Sequence, residues 1–328
     1  MTDHFLLRIG DGGDAVRDIQ RRLTRLGLDV GADAPGSFGE ATQAAVRDFQ
    51  EQRGLRLDGI CGPQTWGALV EAGFRLGDRL LYLRAPMLRG DDVSELQEHL
   101  GALGFDAGKV DGIIGPRTVS ALEAFQRNAG LTVDGICGPA VVAALRRVVR
   151  PASSSSPVAS VRETQELLDA PRRLLGRRIG VGETGGLAAL ADAVGRELVE
   201  AGAVVAVLHH PDESVQATEA NSFKAEVFLS LAVSAEAGCS TAFYAARAFE
   251  SIGGRQLAEL VLDEVDRDVF VPADGPTGMQ LPILRETRMA AVVCEMGPPG
   301  LVVEHTAELS KSLTRAVARW ARGPVNPE

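Results

Sequence analysis

The front of the chain repeats itself, and that repeat limits the possible folds more than any other feature. Gly13-Asp14-Ala15-Val16-Arg17-Asp18-Ile19-Gln20…Leu23…Leu26-Gly27 is matched by Gly90-Asp91-Asp92-Val93-Ser94-Glu95-Leu96-Gln97…Leu100…Leu103-Gly104. Phe49-Gln50…Gly54-Leu55…Asp58-Gly59-Ile60-Cys61-Gly62-Pro63 returns as Phe125-Gln126…Gly130-Leu131…Asp134-Gly135-Ile136-Cys137-Gly138-Pro139. The offset is 77 residues at the front, Gly13 to Gly90, and 76 at the back, Phe49 to Phe125, so one residue was gained or lost between helices.

Each copy reads as a three-helix module. Val16, Ile19, Leu23 and Leu26 recur at helical spacing, as do Val93, Leu96, Leu100 and Leu103, giving an amphipathic first helix. Gly27 and Gly104 follow and suit the left-handed residue that ends a helix. A second helix carries Val46 and Phe49, or Leu122 and Phe125. An Asp-Gly turn then leads to Gly-Pro, which places proline at the start of a short third helix.

Beyond the repeats, Arg150-Pro-Ala-Ser-Ser-Ser-Ser-Pro157 reads as a Ser/Pro linker, and Ser153 to Ser156 as plain linker composition. The pattern then changes. Ile179–Val181, Val204–Leu208, Val227–Leu231, Ala242–Ala245 and Ala291–Cys294 read as strands; Leu187–Ala201, Ser251–Asp266 and Thr306–Ala321 read as helices. Such alternation predicts a three-layer α/β domain with a mostly parallel sheet. The expected organisation is therefore repeat 1 over 1–75, repeat 2 over 76–150, linker and lead-in over 151–175, and the α/β domain over 176–325.

Composition narrows the function. A net charge of −10 opposes nucleic acid or an anionic membrane as partner, because phosphate binding needs a basic surface. No apolar run reaches the roughly 18 residues of a membrane span. The first residues show no secretory pattern, and Cys61, Cys137, Cys239 and Cys294 have no ligand spacing. Free buried thiols and a cytoplasmic protein are expected.

The repeat spacing resembles the peptidoglycan-binding domain type 1 family. The second copy fits better, since Asp111-Gly112-Ile113-Ile114-Gly115-Pro116-Arg117-Thr118 keeps the turn between helices, where the first has Pro35-Gly36-Ser37-Phe38-Gly39-Glu40. The resemblance points to Asp111, Gly112, Thr118, Phe125 and Asp134 as ligand-side positions, with both copies acting only as interaction scaffolds as the alternative.

The second half resembles the zinc-dependent N-acetylmuramoyl-L-alanine amidases of the amidase 3 type, through Ala225-Glu226-Val227-Phe228-Leu229-Ser230-Leu231 and Leu281-Pro-Ile-Leu-Arg285 leading to Ala291-Val-Val-Cys-Glu295-Met-Gly297. That chemistry requires two histidines and a glutamate on zinc, an open fourth position for water, and a further glutamate as base and acid. Here Ile179-Gly180-Val181-Gly182-Glu183-Thr184-Gly185-Gly186 carries no histidine where the family has its first ligand. Glu183 stands near the glutamate ligand position, Ala232 occupies the second histidine position, and Glu295 stands where the catalytic glutamate does, as a vestige. His209-His210 reads as a solvated strand end, since neighbouring strand residues point to opposite faces. His4, His99 and His305 stand alone in expected surface positions. No nucleophile elbow, phosphate-binding glycine loop or HExxH is present.

Two repeats, a linker and a degenerate amidase domain together resemble the actinobacterial CwlM family. Tyr82-Leu-Arg-Ala-Pro86-Met-Leu88, Asp134-Gly-Ile-Cys-Gly-Pro139 and Leu284-Arg285-Glu286-Thr287-Arg288-Met289 carry the match. The resemblance implies a cytoplasmic regulator of peptidoglycan precursor synthesis. Such a regulator binds and stimulates the UDP-N-acetylglucosamine enolpyruvyl transferase, under kinase control of a C-terminal threonine. The ending Arg322-Gly-Pro-Val-Asn-Pro-Glu328 departs from that tail. The expectation is a pseudo-amidase that has lost zinc and uses no cofactor. One alternative is an active amidase with zinc on Glu183, Glu295 and His209 or His210. The other is a module that binds muropeptides or precursors through the second repeat.

Overall fold

The computed structural model describes residues 6–148, 158–265, 270, 273 and 275–323. The linker over Arg150–Pro157, the serines within it, His4 and Asp266 lie outside the described residues. The described chain forms two compact units, one of helical repeats and one α/β.

In the first unit, α1 (Asp14–Arg25), α2 (Glu40–Gln52) and α3 (Pro63–Glu71) build one repeat. Helices α4 (Asp91–Ala102), α5 (Pro116–Asn128) and α6 (Pro139–Val148) build the next. The expected stripes are the cores. Val16, Ile19, Leu23, Val46, Phe49, Cys61 and Leu69 pack together in one copy. Val93, Leu96, Leu100, Leu122, Phe125, Cys137 and Leu145 do so in the other. Each fully buried side chain of this size contributes about 1.5–3 kcal/mol. A short backbone ribbon closes each module: Leu7 pairs with Cys61, and Leu81 with Cys137. Arg53 of the first repeat reaches Asp91 of the second through two bonds of 2.7 and 2.8 Å.

The second unit spans Ser160–Ala245 and Glu250 onward, with Ala246–Phe249 counted in the first; it begins inside α7 (Val158–Asp169), a helix in the stretch read above as linker and lead-in. There follow β1 (Arg178–Glu183), α8 (Ala188–Glu200), β2 (Val204–His209), α9 (Glu213–Phe223), β3 (Val227–Val233), β4 (Gly238–Ala246) and β5 (Phe249–Glu250). The unit ends with α10 (Ile252–Glu264), β6 (Thr277–Met279), α11 (Pro282–Glu286), β7 (Ala290–Gly297), α12 (Pro299–Glu304) and α13 (Thr306–Ala321). The strand order is β2-β1-β3-β7-β4-β5, with β6 beside β4. The pairs β1–β2, β1–β3, β3–β7 and β4–β6 are parallel, and β4–β7 is antiparallel. The sheet is thus mostly parallel, as the alternation of elements predicts.

Period-two alternation sorts the sheet residues onto two faces. Ile179, Val181, Val227, Leu229, Leu231, Val292, Cys294 and Met296 share one core with Leu190, Val194 and Leu198 of α8, Leu257 and Val261 of α10, and Leu313 and Val317 of α13. The intervening residues face α9 and α11. Gly180 and Gly182 stand on this side because the Phe228 ring and the Gln216 amide occupy the space a Cβ would need. Among the described residues no helix is long and apolar enough to cross a membrane.

Candidate functional site

In an open α/β sheet the ligand crevice forms at the carboxyl ends of parallel strands, where the strand order reverses. That point lies here between β1 and β3, since β1 leads out to edge strand β2 and the chain returns to β3 on the other side. Register places the candidate residues. Ala232 on β3 pairs with Glu295 on β7, and Glu295 pairs on its other side with Ser240 of β4, so these three share one face. Glu183 pairs with Leu231, which pairs with Cys294. Both belong to the opposite face, with the main core. The structure therefore separates Glu183 from Glu295 by the thickness of the sheet.

Glu183 is buried, 6% exposed, and its carboxylate is already engaged. It accepts from the backbone N–H of Gly185 at 2.7 Å and of Leu187 at 3.3 Å, where α8 begins. Unpaired N–H groups at a helix start favour a carboxylate there. The positive φ angles of Gly185 (133°) and Gly186 (88°) turn the chain tightly enough for this.

The pair His209-His210 stands at an exposed strand end, as expected, but it is tied down by hydrogen bonds. His209 Nδ1 lies 3.2 Å from Glu183 Oε1, and Nε2 lies 3.1 Å from Asp192 Oδ1 on α8. His210 Nδ1 accepts from the N–H of Asp212 at 3.0 Å. The lone histidines His99 and His305 are half-buried. His99 holds a buried Nδ1, and the His305 ring meets Phe270 edge-on at 6.4 Å.

Zinc of the amidase type needs three convergent protein ligands and an open fourth position. The residues present do not fit it. Alanine supplies no donor at Ala232, Glu183 faces away from Glu295, and both nitrogens of His209 face carboxylates. Among the described residues no group of three or more His, Cys, Asp or Glu side chains is placed to hold a metal. Cysteine offers no substitute nucleophile. Burial raises the thiols of Cys61, Cys137 and Cys239 to about 12, and that of Cys294 well above its usual value. A thiol so buried is inert at neutral pH.

Two residues that complete this corner were not legible in sequence. Asp192 is an ordinary exposed helix residue until the start of α8 is laid over β2. Gln216 is fully buried at the first turn of α9, and its Nε2 donates to the carbonyls of Glu183 (2.8 Å) and His210 (2.5 Å). A glutamine in a helix that buries mainly Ala217 and Ala220 beside it gives no periodic signal.

In the repeats, the residues singled out for ligand binding hold the loops. Gln97 Nε2 donates to Asp111 Oδ1 (2.9 Å), to the carbonyl of Ile113 and to Thr118 Oγ1; its Oε1 accepts from the N–H groups of Asp111 and Gly112. Thr118 also donates to the carbonyl of Ala107 and is 2% exposed. Phe125 is buried edge-on against Phe105. Gln126 repeats the device at the next loop, donating to Asp134 Oδ1 (2.7 Å) and accepting from Gly135 N–H. The Ile136 N–H and Gln126 together hold the Asp134 carboxyl below its usual range. In the first repeat Gln20 and Gln50 do the same work. There no turn aspartate is present; Gln20 donates to the Ala34 and Ser37 carbonyls instead, and Asp33 accepts from the Gly39 and Thr42 N–H groups at the start of α2.

Sequence likeness places the chain among peptidoglycan-binding, amidase-like proteins. The family described as "Putative peptidoglycan binding domain" matches residues 12–69 and 89–145. The N-acetylmuramoyl-L-alanine amidase CwlM of Mycobacterium tuberculosis is 33% identical over 90% of this chain and 82% of its own length. The amidase CwlL of Bacillus licheniformis is 32% identical over 39% of this chain and 41% of its own. The solved amidase Ami1 of Mycobacterium smegmatis aligns at a TM-score of 0.41 and 13% identity, over 45% of this chain and 98% of its own. By the first of these relatives, the chain belongs to the CwlM family of N-acetylmuramoyl-L-alanine amidase-like proteins.

Proposed function

We propose that this protein is a non-catalytic pseudo-amidase that works in the cytoplasm as a regulator or scaffold of peptidoglycan precursor synthesis. The observation that carries the reading is the placement of Ala232 beside Glu295 with Glu183 on the opposite face, a donor set that leaves no amidase-type zinc centre. Glu295 then has no metal-bound water to deprotonate. Four free, buried cysteines agree with a reducing compartment. The partner fitting this role is the enolpyruvyl transferase acting on UDP-N-acetylglucosamine. No cofactor is required.

The test joins activity to capture. The full chain, supplied with zinc, is incubated with muramoyl-peptide, and the same chain is used to retrieve partners from native lysate. We expect no more amide cleavage than in a Glu295→Ala variant, and retrieval of a precursor-synthesis enzyme. Cleavage that Glu295→Ala abolishes supports the active-amidase alternative instead.

A second reading assigns muropeptide or precursor binding to the second repeat. What favours it is the exposed apolar set Leu80, Leu83 and Val133, which sits on the same module as the family match over 89–145.

A further inference from the structure

Strand β2 is the edge of the sheet, and among the described residues it is hydrogen-bonded on one side only, to β1. Natural edges are blunted by charge, proline, bulges or a covering element, because an open ladder recruits another strand. Val204-Val205-Ala206-Val207-Leu208 has no charge and no proline, and its register with β1 runs unbroken from Val204 to His209. Every residue of β2 retains some exposure, whereas β1 is buried beyond its first residue and β3 up to its last. Val204, at the start of the strand, is 48% exposed.

The direction of the backbone groups fixes which residues can pair on the open side. The Val204 N–H donates inward to the Arg177 carbonyl at 2.8 Å, so Val204, Ala206 and Leu208 turn their amides toward β1. The amides and carbonyls of Val205, Val207 and His209 therefore point outward. We infer that β2 is a self-pairing edge, joining two copies of this chain antiparallel about a two-fold axis at Ala206.

In that arrangement Val205 meets Val207 of the other copy as a hydrogen-bonded pair, which satisfies outward groups on both strands. Ala206 meets Ala206 as the close, non-hydrogen-bonded pair, where Cα atoms approach to about 4.5 Å and a small side chain fits. Val204 meets Leu208. Every pair formed by the five apolar residues is apolar against apolar, two of them β-branched, and no like charges oppose each other within it. A two-fold axis makes the same patch serve both sides, which is how most homodimers close. The inference does not depend on whether the α/β unit is catalytic.

Sedimentation velocity on the full chain across a hundredfold concentration range tests it. The expected result is a concentration-dependent dimer. Val205→Pro removes an outward N–H without touching the β1 ladder, and Ala206→Lys sets like charges at the axis. Each is expected to weaken dimerisation at least tenfold while circular dichroism stays unchanged. A wild-type chain that is monomeric throughout overturns the proposal and leaves the edge to a strand from a different protein. A dimer that survives in a folded Ala206→Lys variant overturns it as well.

Discussion

At the residue scale, buried glutamines decide the shape of the repeats. Gln97 makes five hydrogen bonds that no water replaces, since Gln97 and Thr118 are both 2% exposed. Gln97→Leu leaves the Asp111 and Gly112 N–H groups without their acceptor, at a cost of about 2–4 kcal/mol. Hydrogen exchange of residues 107–118 is expected to accelerate strongly in that variant; unchanged protection sinks the clamp. Asp134 adds a pH dependence. Its carboxyl is held below the ordinary value by the Ile136 N–H and then by Gln126, so its contribution is complete above about pH 4 and lost as pH falls through the lower folded value. Thermal unfolding from pH 6 to pH 2 is expected to show a steeper acid loss in wild type than in Asp134→Asn, and equal slopes contradict this. The sequence displayed these residues as a repeated signature, but repetition alone cannot say whether a position serves ligand or loop. The resemblance makes Asp111 and Asp134 ligand-side positions, and in the structure their carboxylates also bond the protein's own amides.

At the scale of elements, legibility followed apolar periodicity. The five strands and the helices α8, α10 and α13 that apolar runs predict are all present; α13 has the expected ends, β2 and β3 the expected starts, and the other ends differ by a residue or more. Helix α9 leaves no apolar period in the sequence, because it buries Glu213, Gln216, Ala217 and Ala220 rather than a stripe of large apolar residues. Helix α7 gives no periodic signal in the stretch expected as linker and lead-in, because it buries only Ala159. It is held instead by Glu163, whose carboxylate accepts from Ser251 Oγ and the Ile252 and Gly253 N–H groups at the start of α10. The glycines of β1 have a tertiary cause. A methyl group at Gly182 enters the space of the Gln216 amide and the Phe228 ring. Gly182→Ala is expected to destabilise the α/β unit by about 1–3 kcal/mol, as overpacking does. A melting temperature within a degree of wild type contradicts that packing.

For the whole molecule, the family and the fold were legible because two repeated modules and a strand–helix alternation each carry a strong pattern. The site was legible only as a list of losses. That Ala232 stands beside Glu295 follows from β3–β7 register, and that Glu183 is turned into the other face follows from β1–β3 register. Neither register is written in a single strand's sequence. The same is true of the His209 bridge to Asp192, which exists only once α8 lies over β2. The resulting account is of an amidase fold whose polar corner is bound up in hydrogen bonds within the protein and whose metal-binding donors do not converge. Metal content of the untagged full chain, after dialysis against zinc buffer and removal of free metal, tests this most directly. The account predicts a zinc stoichiometry near zero, and a stoichiometry near one would contradict it.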